Sequence, residues 1–134
     1  MQQTVFDRFE TPPAAKLLGW RLIALDAKKG TIEVSFNGKA EFANPSGHIQ
    51  GGFLTAMLDD TMGPAIVAMT DGALFGRTIN LHTHFLRPVP TGVVRAQGRV
   101  TKLGKTTAFL EGELFDCEGN LAARAVAAVS LAPL

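Results

Sequence analysis

A chain of 134 residues, 46% of them apolar, is the size of one ordinary domain and can bury a core without metals or disulfides. Its 13 basic and 12 acidic side chains leave a net charge of +1 with no basic run, which argues against nucleic acid as a partner. No apolar stretch nears the ~18 residues that span a bilayer, because Asp59 and Asp60 interrupt the longest one.

One domain over residues 1–134 is therefore expected, with small molecules or copies of itself as partners. Cys117 is the only cysteine, so no internal disulfide can form. The polar opening Met1-Gln2-Gln3-Thr4 lacks the apolar core of a signal peptide, and a cytoplasmic location is expected.

In chain order, Thr11-Pro12-Pro13 followed by residues up to Gly19 predicts a short helix, with Thr11 as its cap, proline in the first turn and glycine at the end. Trp20 to Leu25 reads as a strand. Ile32, Val34 and Phe36 alternate with Glu33 and Ser35, the period of a half-buried strand, and Ala27-Lys28-Lys29-Gly30 supplies the turn between the two. From Gly51 to about Met69 the alternation stops and the chain is apolar almost all round, which predicts a buried helix, kinked where Pro64 removes the hydrogen bond to the carbonyl of Asp60. Arg77 to Leu86, Val93 to Lys102, Thr106 to Phe115 and Leu121 to Leu131 then follow as strands joined by turns. The layout is α+β: an antiparallel sheet of about five to six strands that can wrap around one long helix.

The stretch with chemistry in it is Asn44-Pro45-Ser46-Gly47-His48-Ile49-Gln50-Gly51-Gly52, just ahead of the long helix. Two glycines at a helix start cost conformational entropy. They fit either a tight turn or a visitor that must approach the free N–H groups closely. A carbonyl oxygen gaining negative charge is such a visitor, because the free amides and the helix dipole together make an oxyanion hole. Asp59 and Asp60 stand in an apolar helix, where an unpaired carboxylate is costly. Neighbours on a helix point ~100° apart, which predicts one working carboxylate and one that is solvated or caps a neighbour.

Gly51 and Asp59 are separated by ~12 Å of helix axis, too far for one carbonyl to touch both. If they serve the same substrate, two copies of the helix must meet antiparallel across a two-fold axis, each site drawing its glycine from one subunit and its aspartate from the other. His82 and His84 share a strand face, but no third ligand is visible and no metal is expected. Cys117 lies between Asp116 and Glu118, which oppose thiolate formation. The absence of Gly-x-Ser-x-Gly removes the common serine-hydrolase reading and leaves a water or aspartyl nucleophile.

Asn44, the Gly51-Gly52 pair, Asp59 and the later run Thr78-Ile79-Asn80-Leu81-His82-Thr83-His84-Phe85-Leu86-Arg87-Pro88 together resemble the PaaI-like branch of the hotdog thioesterases. The resemblance covers most of the chain from about Leu18. It implies a hotdog fold and hydrolysis of an aryl- or fatty acyl-CoA thioester in dimers that often pair into tetramers. No cofactor is implied beyond the coenzyme A carried by the substrate. It further implies that Asn44 orients water or thioester, that the Gly51 N–H polarises the carbonyl, and that Asp59 is the general base or nucleophile. Thr78 would help place the water.

The family usually has histidine before the glycine pair. Here that position is Gln50, which can hydrogen-bond but carries no charge, and His48 lies two residues earlier. His48, Gln50 and Gly52 are expected at the substrate. Arg87, Lys102 and Lys105 are expected near the coenzyme A phosphates, with the Lys102–Lys105 turn as their place. Phe53, Met57, Met62 and Phe85 would line an apolar acyl pocket or belong to the core. Two alternatives stand beside hydrolysis. A hotdog hydratase would need a catalytic histidine, and Pro64 stands five residues after Asp59. A non-catalytic acyl-CoA-binding or regulatory module would be consistent with Gln50.

Overall fold

A computed structural model describes residues 3–134; Met1 and Gln2 of the polar opening lie outside the described residues. A short helix α1 (Pro13–Leu18) leads into β1 (Arg21–Asp26) and β2 (Thr31–Gly38), then the long helix α2 (Gly51–Met69), then β3 (Leu74–Phe85), β4 (Gly92–Leu103), β5 (Thr107–Phe115) and β6 (Leu121–Pro133). The six strands form one antiparallel sheet in the order β1-β2-β4-β5-β6-β3, wrapped around α2 as the α+β reading expected.

The core follows from strand alternation. Ile32, Val34 and Phe36 on β2, Val94 and Ala96 on β4, Ala108, Leu110 and Leu114 on β5, and Ala123, Ala125, Ala127 and Val129 on β6 all face the helix and are buried. Met57, Leu58, Met62 and Ile66 of α2 meet them with no exposed surface, each burial stabilising the fold by roughly 1.5–3 kcal/mol. At Gly98 and Gly112 a β-carbon would stand 3.2 and 3.0 Å from Thr61 and Met62, so the helix rides closest to the sheet where the strands have no side chain.

Two expectations are corrected and one element is added. Thr11 does not cap α1: Pro12, in extended backbone, occupies the cap position with no side-chain bond, because a proline pair fixes the turn without one. β3 begins three residues before Arg77, at Leu74. A 3-10 turn at Val5–Arg8 precedes α1, fixed by reciprocal bonds between Thr4 and Asp7 and tied to the end of α2 by an Arg8–Asp71 ion pair at 2.7 Å. As expected, Gly19 ends α1 in the left-handed conformation at φ 71°.

Pro64 does not break α2, which runs unbroken across it. The carbonyl of Asp60, freed by the proline, accepts the Trp20 indole N–H at 2.9 Å instead.

Candidate active site

The loop before α2 is built by Asn44. Its Oδ1 accepts from the Ser46 N–H at 3.0 Å, the Ser46 hydroxyl at 2.7 Å and the His48 N–H at 3.1 Å, so the carbonyl side of the amide is committed to the loop and its NH2 group is left to donate outward. Ser46 Oγ also meets His48 Nδ1 at 3.1 Å, which makes His48 a member of this loop. The Ile49 N–H donates to Val89, docking the loop onto the β3–β4 connection, and the Gln50 N–H donates to Phe42, closing the loop on the segment that precedes it.

Gln50 is the cap residue of α2 without a side-chain cap bond, and Gly51 is the first helical residue. Among the described residues, the N–H groups of Gly51 and Gly52 have no backbone or side-chain acceptor. The helix dipole adds its positive end at the same point. The Phe85 ring covers Gly51, and a β-carbon there would lie 3.1 Å from it, so glycine is what allows the ring and a ligand to share the helix start.

Asp59 lies two turns further along α2. The Thr78 hydroxyl donates to its Oδ1 at 3.4 Å. A β-bulge sets this pairing: Thr78 is opposite Val129 and Asn80 opposite Ala128, leaving Ile79 as the extra residue. With the bulge, Thr78 and the later Leu81, Thr83 and Phe85 all face the helix. Burial against the apolar wall beside it raises the Asp59 carboxyl above the ordinary range, and the Thr78 hydrogen bond pulls the other way.

Beside Asp59 is a cavity of about 580 Å3. The α2 stripe Ala56, Asp59, Asp60, Gly63, Pro64 and Val67 forms one wall, and Phe6, Phe9, Leu18, Trp20 and Phe75 form much of the rest. Residues spaced by three and four share a helix face, so both aspartates line this one space although neighbours on a helix point ~100° apart. Of the residues expected either to line an apolar pocket or to belong to the core, Met57 and Met62 belong to the core and Phe53 stacks on Phe42 at 4.2 Å, while the aromatic wall of this cavity comes from Phe75 and residues 6–20. No local signal in that segment pointed to a ligand; only the tertiary fold brings it to Asp59.

The three basic residues are not gathered within one chain. Arg87 sits at the end of the sheet where α2 begins, 4.0 Å from Asp116, while Lys102 and Lys105 flank the β4–β5 turn at the end where α2 finishes. His82 and His84 face each other across 3.1 Å between their Nε2 atoms on the exposed β3 edge.

A six-stranded antiparallel sheet wrapped around one long helix is the hotdog fold. The model of the thioesterase superfamily matches residues 46–123. A structure from Ralstonia eutropha JMP134, described as a thioesterase related to phenylacetic acid degradation, is 35% identical with a TM-score of 0.87, covering 94% of this chain and 95% of its own. A protein of Saccharolobus solfataricus provisionally named an esterase is 31% identical over 83% of this chain and 77% of its own length. The E. coli PaaI protein from the phenylacetic acid degradation operon shares the fold with a TM-score of 0.77, at 22% identity over 87% of this chain and 86% of its own. The chain belongs to the thioesterase superfamily and is a thioester hydrolase.

Proposed function

We propose that the protein hydrolyses an aryl- or fatty acyl-CoA thioester, working as a dimer with shared sites. The Gly51 N–H, aided by Gly52, polarises the thioester carbonyl, and Asp59 takes a proton from water as the water oxygen attacks the carbonyl carbon. The tetrahedral oxyanion is held at the helix start. Its collapse breaks the C–S bond, and the proton on Asp59 passes to the departing thiolate, giving free acid and coenzyme A.

The carrying observation is that α2 offers amides at Gly51 and Gly52 that are unpaired among the described residues and, two turns on, a carboxylate of raised pKa that accepts from Thr78 at the edge of a largely apolar cavity. The raised pKa favours Asp59 as general base, because a stronger base accepts the water proton more readily. Asn44 would orient the carbonyl or water through its free NH2 group, and Thr78 would hold Asp59.

The helix spacing supports the dimer, since Gly51 and Asp59 of one chain lie ~12 Å apart along the axis. β3 supports it too. It is a twelve-residue edge strand with Ile79 62% exposed, and a long unpaired edge of this kind invites pairing with a second copy. Antiparallel pairing there would carry the Lys102–Lys105 turn of one copy toward the Arg87 end of the other, which would reunite the three basic residues expected at the coenzyme A phosphates. His48 and Gln50 would border the same entrance.

Thiol release from a panel of aryl- and fatty acyl-CoAs tests the reading. Turnover that collapses in Asp59→Asn with the oligomer intact is the expected result. Coenzyme A binding with no turnover of any thioester would instead mark a non-catalytic binding module.

A further inference from the structure

His82 and His84 take no part in the mechanism above. Both stand on the solvent face of β3, because their register partners on β6 are the exposed Val126 and Arg124, whereas Leu81 and Thr83 are opposite the buried Ala127 and Ala125. Their Nε2 atoms are 3.1 Å apart. Two imidazole nitrogens, each ~2.0–2.1 Å from one tetrahedral ion, stand ~3.3 Å apart, so the two rings already have the spacing of a chelate. Among the described residues, no third His, Cys, Asp or Glu of the same chain joins them.

The shared-site dimer fixes where further ligands come from. β3 runs antiparallel to α2, and three contacts set the two side by side: the Phe85 ring over Gly51, the Thr55 hydroxyl donating to Thr83 Oγ1 at 3.2 Å, and the Thr78 hydroxyl on Asp59. A two-fold axis that exchanges Gly51 with the partner's Asp59 maps Thr55, midway between them, onto the partner's Thr55. Thr83 is level with Thr55, so the same axis crosses the paired β3 edges near Thr83. Antiparallel pairing centred there sets His82 opposite the partner's His84 and His84 opposite the partner's His82, all on the outer face. A centre one residue to either side still sets one histidine of each copy opposite its twin. Directly opposite β-carbons lie ~4.5–5.5 Å apart, close enough for the rings of both copies to reach one point.

We infer that His82 and His84 of the two copies form a four-histidine site on the dimer axis that takes one divalent transition cation of the zinc class. The inference rests on the shared-site dimer and deepens it, since the ion staples the two chains whose contact completes each hydrolytic site. Imidazole suits zinc, copper and nickel, whereas magnesium and calcium take oxygen ligands. Each ring ligates through Nε2 with its proton on Nδ1. Arg124, the cation beside His84, is itself opposite Glu113 on β5, which offsets its charge. Thr83, between the two histidines, points to the other face of the strand, so the sheet separates the ion from the substrate. Its role is to hold the dimer.

The test uses the full chain without a polyhistidine tag, stripped with a chelator and titrated with cobalt(II), whose visible absorption reports tetrahedral nitrogen ligation and which zinc(II) then displaces. Saturation at one ion per two chains is expected, with the absorption lost in His82→Ala and in His84→Ala. Zinc should lower the dimer dissociation constant, read by sedimentation, about 10-fold or more in the wild type and leave it unmoved in both variants. Thiol release at concentrations where the variants are dimeric should match the wild type, which separates a lost staple from a damaged site. Saturation at one ion per chain, no uptake of either metal, or a dimer constant indifferent to zinc would overturn the inference. A dimer that takes no ion leaves the shared-site reading standing, whereas a chain that sediments as a monomer sinks both.

Discussion

The indole of Trp20 donates to the carbonyl of Asp60 at 2.9 Å, and that carbonyl is the one from which Pro64 has removed the helical partner. The two residues solve one problem together, since proline inside a helix leaves an acceptor and the segment before β1 supplies a donor. Trp20→Phe keeps the ring that packs edge-on against Phe6 but leaves the acceptor unpaired, with an expected cost of about 1 kcal/mol. In a Pro64→Ala background the new amide at position 64 can donate to the same carbonyl, and the cost of Trp20→Phe should shrink. A double-mutant cycle from urea unfolding measures this coupling; equal costs in both backgrounds would refute it.

Asp60 makes stability depend on pH in a direction that can be worked out. Its carboxyl is raised from 3.8 to about 6 in the folded chain. Below the lower value both states are protonated. Between the two values the folded state holds a proton that the unfolded state has released, so stability falls as pH rises, and the loss is complete above about 6. The raised Asp59 carboxyl acts in the same sense. Asp60→Asn should flatten most of this slope and be more stable than wild type near neutral pH by about 1 kcal/mol, a figure discounted for the partial exposure of the group. Urea midpoints across the acid range check both the slope and its sign.

Gly63 offers a way to fill the cavity without disturbing the core. It lines that space, and a β-carbon built on it meets nothing within 4 Å. Gly63→Leu should leave stability unchanged or raise it by about 0.5 kcal/mol, because leucine is the better helix former. Turnover of aryl- and long acyl-CoAs should fall ~10–100-fold through KM while acetyl-CoA is spared. Uniform loss across chain lengths would show that the acyl group lies elsewhere.

How much of this was legible in the sequence differs between elements for physical reasons. The sheet strands announced themselves through alternation at Ile32, Val34 and Phe36, and α2 through its length and lack of alternation. The glycine pair and Asp59 were visible because glycine and a carboxylate are locally costly where they stand. The cavity was not visible. Phe6, Phe9 and Trp20 are unremarkable apolar residues until the chain folds them over α2, and the bulge at Ile79 that aims Thr78 at Asp59 depends on pairing with β6, which no local pattern encodes. Thr11 was misjudged because a cap preference was applied where two prolines already fix the backbone.

The shared-site dimer makes a prediction that no single-chain site can imitate. Gly51 is the first helical residue, and Gln50 before it already has extended backbone at φ −56° and ψ 136°, the conformation a following proline requires. Gly51→Pro therefore deletes the N–H donor while suiting the helix start, with the exposed Phe85 ring free to move aside from the added ring. Alone it should lower kcat ~100–1,000-fold, the scale for one lost oxyanion donor, and Asp59→Asn alone should abolish turnover. Unfolded together and refolded at equal concentrations, the two variants give about half heterodimers. In each of these one site combines an intact glycine with an intact aspartate, and the other has lost both. Activity should then recover to about one quarter of wild type. If Gly51 and Asp59 served a substrate from within one chain, every site in the mixture would carry one defect, and mixing would restore nothing.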